Sequence, residues 1–229
     1  DLVFTVAPTL FSAPLAALSG RRNRQRNWLH IQDFEIDAAL NLGVVKHLPG
    51  MERIARHWEK GVYGKFATIS TISNAMMKKL VEKGVPPEAI QYFPNWIDID
   101  LIYPLEGENW YRRELQFDSS DVVIVYSGSI GQKQGLETLI EAAQKLVEYS
   151  HIHLVICGDG PGKLNLQKLA EGFTNIHFLP VQPAESLNEL LNMADIHVLP
   201  QKAGAADLVM PSKLLGMLAS GRPVIAACP

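Results

Sequence analysis

The sequence predicts an α/β protein built on parallel sheets. Short runs of β-branched and other apolar residues alternate, along the whole chain, with stretches whose apolar residues recur at helical spacing. Strands and helices that alternate in this way form parallel sheets covered by helices. A stretch around Pro94 to Pro104 is rich in proline, acidic and aromatic residues and follows neither period. We therefore expect a hinge there, between a domain of residues 1–97 and a domain of residues 98–229.

The first part is predicted to contain three strands and three helices. The strands are expected near Leu2–Val6, Trp28–Ile31 and Phe66–Ile69, and the helices near Leu10–Leu18, Met51–Tyr63 and Asn74–Lys83. The second part is the more regular repeat of strands and helices. Its strands are expected near Val122–Tyr126, His153–Ile156, Ile176–Phe178, Ile196–Leu199 and Pro223–Ala226, and its helices near Leu136–Glu148, Lys163–Glu171, Leu187–Met193 and Lys213–Ala219.

Composition narrows the possible partners and compartments. The chain has 229 residues, of which 47% are hydrophobic, so each part has enough apolar residues for a core. A net charge of -3 gives no general attraction to nucleic acid, so any phosphate site must be local. Cys157 and Cys228 lie in apolar runs, which predicts no disulfide framework and a cytoplasmic protein.

The two ends of the sequence resemble cut ends of a longer chain. There is no initiator methionine, and the last residues look like a strand and the start of its exit loop. The apolar opening is interrupted by Pro8 and Pro14 and its charges follow it, which is unlike a signal peptide. No stretch is long and apolar enough to predict a membrane span.

A glycine-bracketed loop follows the strand that ends at Tyr126. It reads SGSIGQKQG, with Gly128, Ser129, Gly131, Lys133 and Gln134 ahead of a helix. Ligands bind beyond the carboxyl ends of parallel strands, and free N–H groups at a helix start suit phosphate. A tight turn with an exposed lysine is the other interpretation. The loop after the next strand, with Gly158 and Asp159, does not fit the GxGxxG spacing and is a weaker candidate.

Lys213 is an unusual residue at the start of a helix. Pro211 and Ser212 precede it, and Ser212 is the expected cap. A lysine here opposes the helix dipole unless an anion such as a diphosphate binds beside it. Gly216, in the same helix, is small enough for a ligand or strand to approach closely. An exposed lysine without a ligand is the alternative.

The first part offers one polar cluster and two basic features. His30, Gln32 and Asp33 are expected just past a strand end, where a histidine beside a carboxylate can act as an acid, a base or a polar grip. A hydrogen-bonded loop histidine is the common alternative, and no metal-ligand spacing is present. The run from Arg21 to Asn27 is interpreted as a solvated loop. The helix from Met51 has an apolar stripe and basic residues, which suits either core packing or a membrane surface.

The sequence resembles family 4 glycosyltransferases, most closely the bacterial exopolysaccharide and O-antigen branch. Taken in order, the segments that carry this resemblance are TISNAMMKKLVEKGVPPEAIQYFPNWID, YSGSIGQKQGLETLIEAA, VICGDGPGKL, NIHFLPVQP, MADIHVLPQ and PSKLLGMLASGRPVIA. The resemblance covers nearly the whole chain and implies the GT-B fold, with two Rossmann-like domains that are both incomplete here. It implies that residues 98–229 hold a nucleotide-diphospho-sugar and residues 1–97 the acceptor. It also implies retention of configuration and no metal or other cofactor.

The resemblance also implies roles for individual residues. The loop from Gly128 to Gln134 would bind the diphosphate, with Lys133 or Lys213 as its charge, and His30 and Asp33 would face the reacting sugar or acceptor. The family usually has arginine at the position of Ser129 and lysine at that of Gln134, so the charge is expected to come from the two lysines. The residues implied in donor binding are Gly128, Ser129, Gly131, Gln134, Gly158, Asp159, Asp207, Pro211, Ser212 and Gly216, where Asp207 replaces a family glutamate by a shift of one place.

The leading hypothesis is a metal-independent, retaining transferase that moves a hexose from a nucleotide-diphospho-sugar to a lipid-linked or oligosaccharide acceptor in polysaccharide biosynthesis. It would be cytoplasmic, with peripheral contact at the inner face of the cell membrane left open. One alternative is a GT-B nucleotide-sugar epimerase, which should show clustered carboxylates. The other is a non-catalytic module that binds nucleotide sugars or glycans.

Overall fold

The computed structural model describes residues 1–8, 10–22, 24–37, 50–131, 134–200 and 212–227. These residues form two compact units, and the chain passes from the first to the second between Asn95 and Trp96. Each unit contains one parallel sheet with helices, so the predicted α/β class is confirmed.

The first unit contains a four-stranded parallel sheet in the order β1-β2-β3-β4. Its strands are β1 (Leu2–Ala7), β2 (Arg26–Ile31), β3 (Thr68–Thr71) and β4 (Ile90–Tyr92), and its helices are α1 (Ala13–Arg22), α2 (Met51–Tyr63) and α3 (Asn74–Glu82). A 3₁₀ turn, Pro87–Ala89, leads into β4. Leu29, Ile31 and Ile69 of the sheet form the core with Val62 and Leu80 of the helices.

Only part of the apolar face of α2 packs into the core. Val62 is buried, and Trp58 packs against the core and stacks on Phe11 with 5.0 Å between ring centroids. Met51 and Ile54, in the first turns of the same helix, are exposed. The predicted apolar stripe therefore packs into the core only in its second half.

The second unit contains a five-stranded parallel sheet in the order β7-β6-β5-β8-β9. Its strands are β5 (Val122–Ser127), β6 (Ile152–Cys157), β7 (Ile176–Leu179), β8 (Ile196–Pro200) and β9 (Val224–Ala227). Its helices are α4 (Trp110–Glu114), α5 (Glu137–Lys145), α6 (Lys163–Leu169), α7 (Leu187–Asn192) and α8 (Lys213–Ala219), with a 3₁₀ turn at Ala184–Ser186.

Both faces of the central strands β5 and β6 of the second sheet are buried. Tyr126 and Ile156 pack on one face with residues of α5 and α6, whereas Val125 and Val155 pack on the other with Leu190 of α7. Burial on both faces explains why these strands are nearly continuous apolar runs in the sequence. The central strand β5 is therefore packed on both faces up to the point where the loop after it begins.

Three details differ from the sequence prediction. Strand β4 and helix α4 were not predicted, because both are short and lie in or near a stretch rich in proline. Helix α1 begins three residues later than expected. Part of the predicted hinge is packed on the second unit: Ile102 is buried, and the Leu105 N–H donates to Asn192 Oδ1 of α7 at 2.8 Å.

No helix in the described part of the chain is long and apolar enough to cross a lipid bilayer.

Candidate functional site

The loops that follow β5 and β6 are hydrogen-bonded to each other at the carboxyl edge of the second sheet. The Gly128 N–H donates to the Cys157 carbonyl at 2.9 Å, and the Ile130 N–H donates to the Asp159 carbonyl at 2.8 Å. Gly158 has a φ of 152°, and a Cβ there would collide with the Gly128 carbonyl oxygen. The two glycine-rich loops therefore form one backbone surface, and glycine at residue 158 is needed for their close approach.

The side chain of Lys213 reaches this surface from the start of α8. Its Nζ donates a hydrogen bond to Tyr126 Oη at 2.9 Å and lies 4.4 Å from the centroid of the tyrosine ring. A Cβ at Gly128 would lie only 2.6 Å from the same Nζ. Glycine at residue 128 thus leaves room for the ammonium group directly beside the loop backbone.

The Lys213 ammonium has no carboxylate partner among the described residues. Burial lowers its pKa from 10.5 to about 8, because desolvation disfavours the charged form. Burial also raises the pKa of Tyr126 to about 12, so this partner is a neutral phenol at pH 7. An ammonium group carries three N–H donors, and only one is used by Tyr126. Within the part of the chain that the structure describes, the remaining charge and donors are available to an anion.

Ser129 and Gln134 of the loop belong to the same site. Tyr126 Oη donates to the Ser129 carbonyl at 2.7 Å, and Gln134 Nε2 lies 3.4 Å from Ser129 Oγ. The backbone N–H groups of Ser129 and Gly131 have no acceptor within the described ranges. The structure thus brings together Lys213 and four more residues that the sequence suggested: Gly128, Ser129, Gly131 and Gln134.

The other residues suggested for donor binding differ in their surroundings. Asp159 is exposed; its Oδ1 accepts from the Gly160 N–H at 2.9 Å and lies 3.7 Å from Lys163 Nζ. Gly216 is buried, and a Cβ there would meet Leu191 at 3.3 Å, so this glycine packs α8 against α7. Lys133, Asp207 and Pro211 lie outside the described residues.

Ser212 does not cap α8 in the way the sequence suggested. Its backbone is already helical, with φ of -58° and ψ of -30°, and its side chain makes no capping hydrogen bond. A capping residue has extended backbone, because this conformation brings its side-chain oxygen to the free N–H groups. Only the Ser212 carbonyl joins the helix, by accepting from the Leu215 N–H at 3.3 Å.

His30 lies inside β2, and the prediction that it follows the strand end was wrong. Its ring is buried, with Nδ1 2.9 Å from Ser70 Oγ and the rings of Phe4 and Phe93 packed on it. Burial lowers the pKa of His30. Asp33 lies in the loop after β2 and is half-buried. Whether these two side chains face a reacting sugar stays a prediction.

Among the residues that the structure describes, no group of three or more His, Cys, Asp and Glu side chains could hold a metal ion.

Tyr126 is the residue of the site that sequence reasoning missed. It places a hydroxyl group near the carboxyl end of the central strand, after four apolar residues and two residues before Gly128. A polar group at this position is the signal that could have identified it.

A comparison with protein families shows the family of the chain. Residues 108–227 match the family model described as glycosyl transferases group 1. The chain belongs to the group 1 glycosyl transferases. Tyr126, the Gly128 loop and Lys213 all lie inside the matched region of this family member.

Individual relatives agree with this assignment. The chain is 41% identical over 227 residues to WcaI of Escherichia coli K12, whose name assigns it provisionally to colanic acid biosynthesis as a glycosyl transferase. That match covers 96% of this chain and 56% of WcaI. The chain is also 20% identical to alpha-galactosylglucosyldiacylglycerol synthase of Streptococcus pneumoniae, with 79% of this chain and 48% of that protein covered. The chain thus spans about half the length of the curated relatives it matches.

The solved structures show the same fold. The crystal structure of HepE from Anabaena, in complex with UDP and glucose, matches with a TM-score of 0.72 at 16% identity. The match covers 98% of this chain and 58% of HepE. This group 1 glycosyl transferase therefore has the fold of the GT-B enzymes, as the sequence predicted.

Proposed function

We propose that the protein transfers a hexose from a nucleotide-diphospho-sugar to a lipid-linked or oligosaccharide acceptor in bacterial polysaccharide biosynthesis. We further propose that it retains the anomeric configuration and needs no metal. The observation that carries this proposal is the Lys213 ammonium group, half-buried beside the Gly128 loop without a carboxylate partner among the described residues. A diphosphate is the anion that matches a fixed cation next to free backbone N–H groups.

The proposed chemistry rests on stabilising the leaving group. As the bond between the anomeric carbon and the diphosphate oxygen breaks, negative charge develops on the diphosphate. The N–H donors of Lys213 that no described residue accepts, and the N–H groups of Ser129 and Gly131, would stabilise this charge in a partly dehydrated site. The acceptor oxygen bonds to the anomeric carbon on the same face, and its proton leaves with the diphosphate.

The relatives support the proposed donor and acceptor classes. HepE was crystallised in complex with UDP and glucose, so UDP-hexoses are the first donors to test. The name of WcaI refers to colanic acid, a polysaccharide, and that of the Streptococcus pneumoniae relative refers to a glycosylated diacylglycerol. Both names fit an acceptor that is a glycan or carries a lipid.

A lipid-linked acceptor would also bring the protein to the inner face of the cell membrane. The first turns of α2 expose Met51 and Ile54 beside Arg53, a combination that suits an anionic lipid surface. We include such peripheral contact in the proposal. The double substitution Ile54→Ser and Arg53→Gln should lower the fraction of the complete protein that sediments with anionic liposomes. Unchanged sedimentation would count against lipid contact by α2.

A transfer assay on the complete protein tests the proposed function. UDP-hexoses would be incubated with extracts of lipid-linked acceptors, and the products identified by mass spectrometry. Lys213→Met should lower kcat/KM by about 100-fold, which corresponds to roughly 2.7 kcal/mol of lost charge stabilisation. Lys168→Met, on the exposed side of α6, is the matched control and should retain activity.

The same incubations, together with calorimetric titration of UDP-hexose and NMR of the nucleotide sugar, separate the alternatives. Binding of UDP-hexose without transfer to any acceptor would indicate a non-catalytic module. Conversion of the nucleotide sugar to its epimer without an acceptor would indicate an epimerase. Equal activity of Lys213→Met and the unmodified protein would contradict the assigned role of Lys213.

A further inference from the structure

The hydroxyl group of Tyr126 lies between the two parts of the site. It accepts a hydrogen bond from Lys213 Nζ at 2.9 Å and donates one to the Ser129 carbonyl at 2.7 Å. We propose that Tyr126 is a positioning residue, which holds the Lys213 ammonium against the Gly128 loop in the orientation that receives the diphosphate. This inference rests on the proposed function and adds to it a residue that acts only through Lys213.

The direction of the two hydrogen bonds is fixed by chemistry. A carbonyl oxygen can only accept, so the single phenolic hydrogen of Tyr126 must point to Ser129. The Tyr126 oxygen therefore faces Lys213 with its lone pairs, and an ammonium group can only donate. The order of donors, from Lys213 to Tyr126 to Ser129, has no alternative in this geometry.

Tyr126 is rigid enough to position a flexible lysine. Its side chain is fully buried at 0% exposure, in the central strand β5 and packed among residues of α5 and α6. Lysine has a flexible four-carbon stem, which would lose considerable rotamer entropy if it were ordered only when the ligand arrives. The hydroxyl and the ring face together fix the ammonium group before binding. Such pre-organisation improves affinity by reducing that entropic cost.

A tyrosine can position the ammonium group without neutralising it. A carboxylate at the same place would form an ion pair and compete with the diphosphate for Lys213. The phenol instead stays neutral at pH 7, since burial raises its pKa to about 12. The positive charge of Lys213 therefore remains available while its position is fixed.

The loop has a second attachment that does not depend on Tyr126. The peptide group between Ser129 and Ile130 is also held by its N–H, which donates to the Asp159 carbonyl at 2.8 Å. The Gly162 N–H in turn donates to the Ile130 carbonyl at 3.0 Å. We therefore expect the loop to keep its backbone conformation when the hydroxyl of Tyr126 is removed, so that the substitution reports on Lys213.

A double-mutant cycle on the complete protein tests the proposal. Tyr126→Phe removes the hydroxyl and keeps the ring under the ammonium group. Calorimetric titration with inorganic pyrophosphate and with UDP should show about tenfold weaker binding for Tyr126→Phe, in the range of a hydrogen bond to a charged group. In the Lys213→Met background the same change should weaken binding by less than about twofold. The effects of two residues that act through one contact are not additive.

The pH dependence of binding provides a readout that a purely structural role would not change. Pyrophosphate affinity should fall as Lys213 loses its proton, and this fall should begin at lower pH in Tyr126→Phe, where no hydroxyl stabilises the ammonium form. Tyr111→Phe is the matched control. Tyr111 is a buried tyrosine of the same unit whose hydroxyl donates to Gln182 Oε1 at 3.0 Å, away from Lys213. It should leave the pH profile unchanged.

Two results would overturn the inference. One is unchanged binding in Tyr126→Phe. The other is a loss of affinity on Tyr126→Phe that is equally large in the unmodified protein and in Lys213→Met. Failure of the proposed function gives a different pattern: Lys213→Met itself would bind UDP as tightly as the unmodified protein. Thermal unfolding of every variant shows whether a weaker titration reflects the site or the fold.

Discussion

Two lysines, one in each unit, have opposite surroundings. Lys83 in the first unit has a side chain only 7% exposed, and its Nζ lies 2.7 Å from Asp37 Oδ2 and 2.7 Å from Glu59 Oε2. Arg56 and Lys79 also approach Asp37, and Tyr63 donates to Glu59 at 2.8 Å. Among the described residues, the side chain of Lys213 in the second unit hydrogen-bonds only to the neutral Tyr126.

The difference separates a structural charge from a functional one. Around Lys83 the folded chain supplies carboxylates within hydrogen-bonding distance, so the charge is compensated before any ligand arrives. At Lys213 the chain bears a desolvation cost that its described contacts do not offset, as the lowered pKa shows. A destabilising group at a site is typical of function, because binding residues are placed at a cost to stability. We therefore expect the two lysines to respond oppositely to the same substitution.

The largest effect is expected at Lys83. Lys83→Met would leave Asp37 and Glu59 buried without their shared cation, and should lower the free energy of unfolding by about 3–5 kcal/mol. Denaturant unfolding of the complete protein measures it. Lys78→Met is the control, because Lys78 is exposed on α3, the helix that Lys83 caps. A loss no larger than that of Lys78→Met would show that the ion pairs around Lys83 are not needed for stability.

The opposite sign is expected at Lys213. Lys213→Met should raise the free energy of unfolding at pH 7 by about 1–3 kcal/mol, since it removes a partly dehydrated charge. Because the pKa is lowered to about 8 in the folded state and is 10.5 ordinarily, the unfolded chain binds more protons between these values. The stability of the unmodified protein should therefore rise from pH 8 to 10.5, and the advantage of the variant should shrink. Destabilisation by Lys213→Met at pH 7 would contradict the comparison.

A smaller effect is expected when the space beside Lys213 is filled. Gly128→Ala would place a methyl group against Nζ, at a φ of 144° that favours glycine, and so displace the ammonium group. UDP binding should weaken about tenfold, which is roughly 1.4 kcal/mol, as measured by calorimetric titration. Gly61→Ala, in helix α2 where a Cβ meets nothing within 4 Å, is the control and should leave binding unchanged. Equal UDP affinity for Gly128→Ala and the unmodified protein would show that the ammonium position is not important.

Much of the second unit could be predicted from sequence because its periodicity is strong. Strands buried on both faces give continuous apolar runs, and the helices between them have a clear helical period. The position of Lys213 next to a helix start was also readable. Its proximity to Gly128 was not, because contacts between residues far apart in sequence depend on strand order.

The first unit shows what the sequence could not supply. His30 was grouped with Gln32 and Asp33 past the strand end, although the strand predicted near Trp28–Ile31 already contained it. Strand β2 does end at Ile31, and packing by Phe4 and Phe93 buries the His30 ring. The cluster around Lys83 was missed as well, since its charges come from separate elements and show no local pattern.

The most direct measurement is the titration of the Lys213 ε-carbon by NMR, with ¹³C-labelled lysine in the complete protein. Lys213→Met identifies its signal. We expect the pKa to be near 8 in the free protein and clearly higher when UDP is bound, since the diphosphate compensates the charge. A Lys213 pKa at the ordinary 10.5 without ligand, or one that UDP leaves unchanged, would contradict a site built around an uncompensated ammonium group.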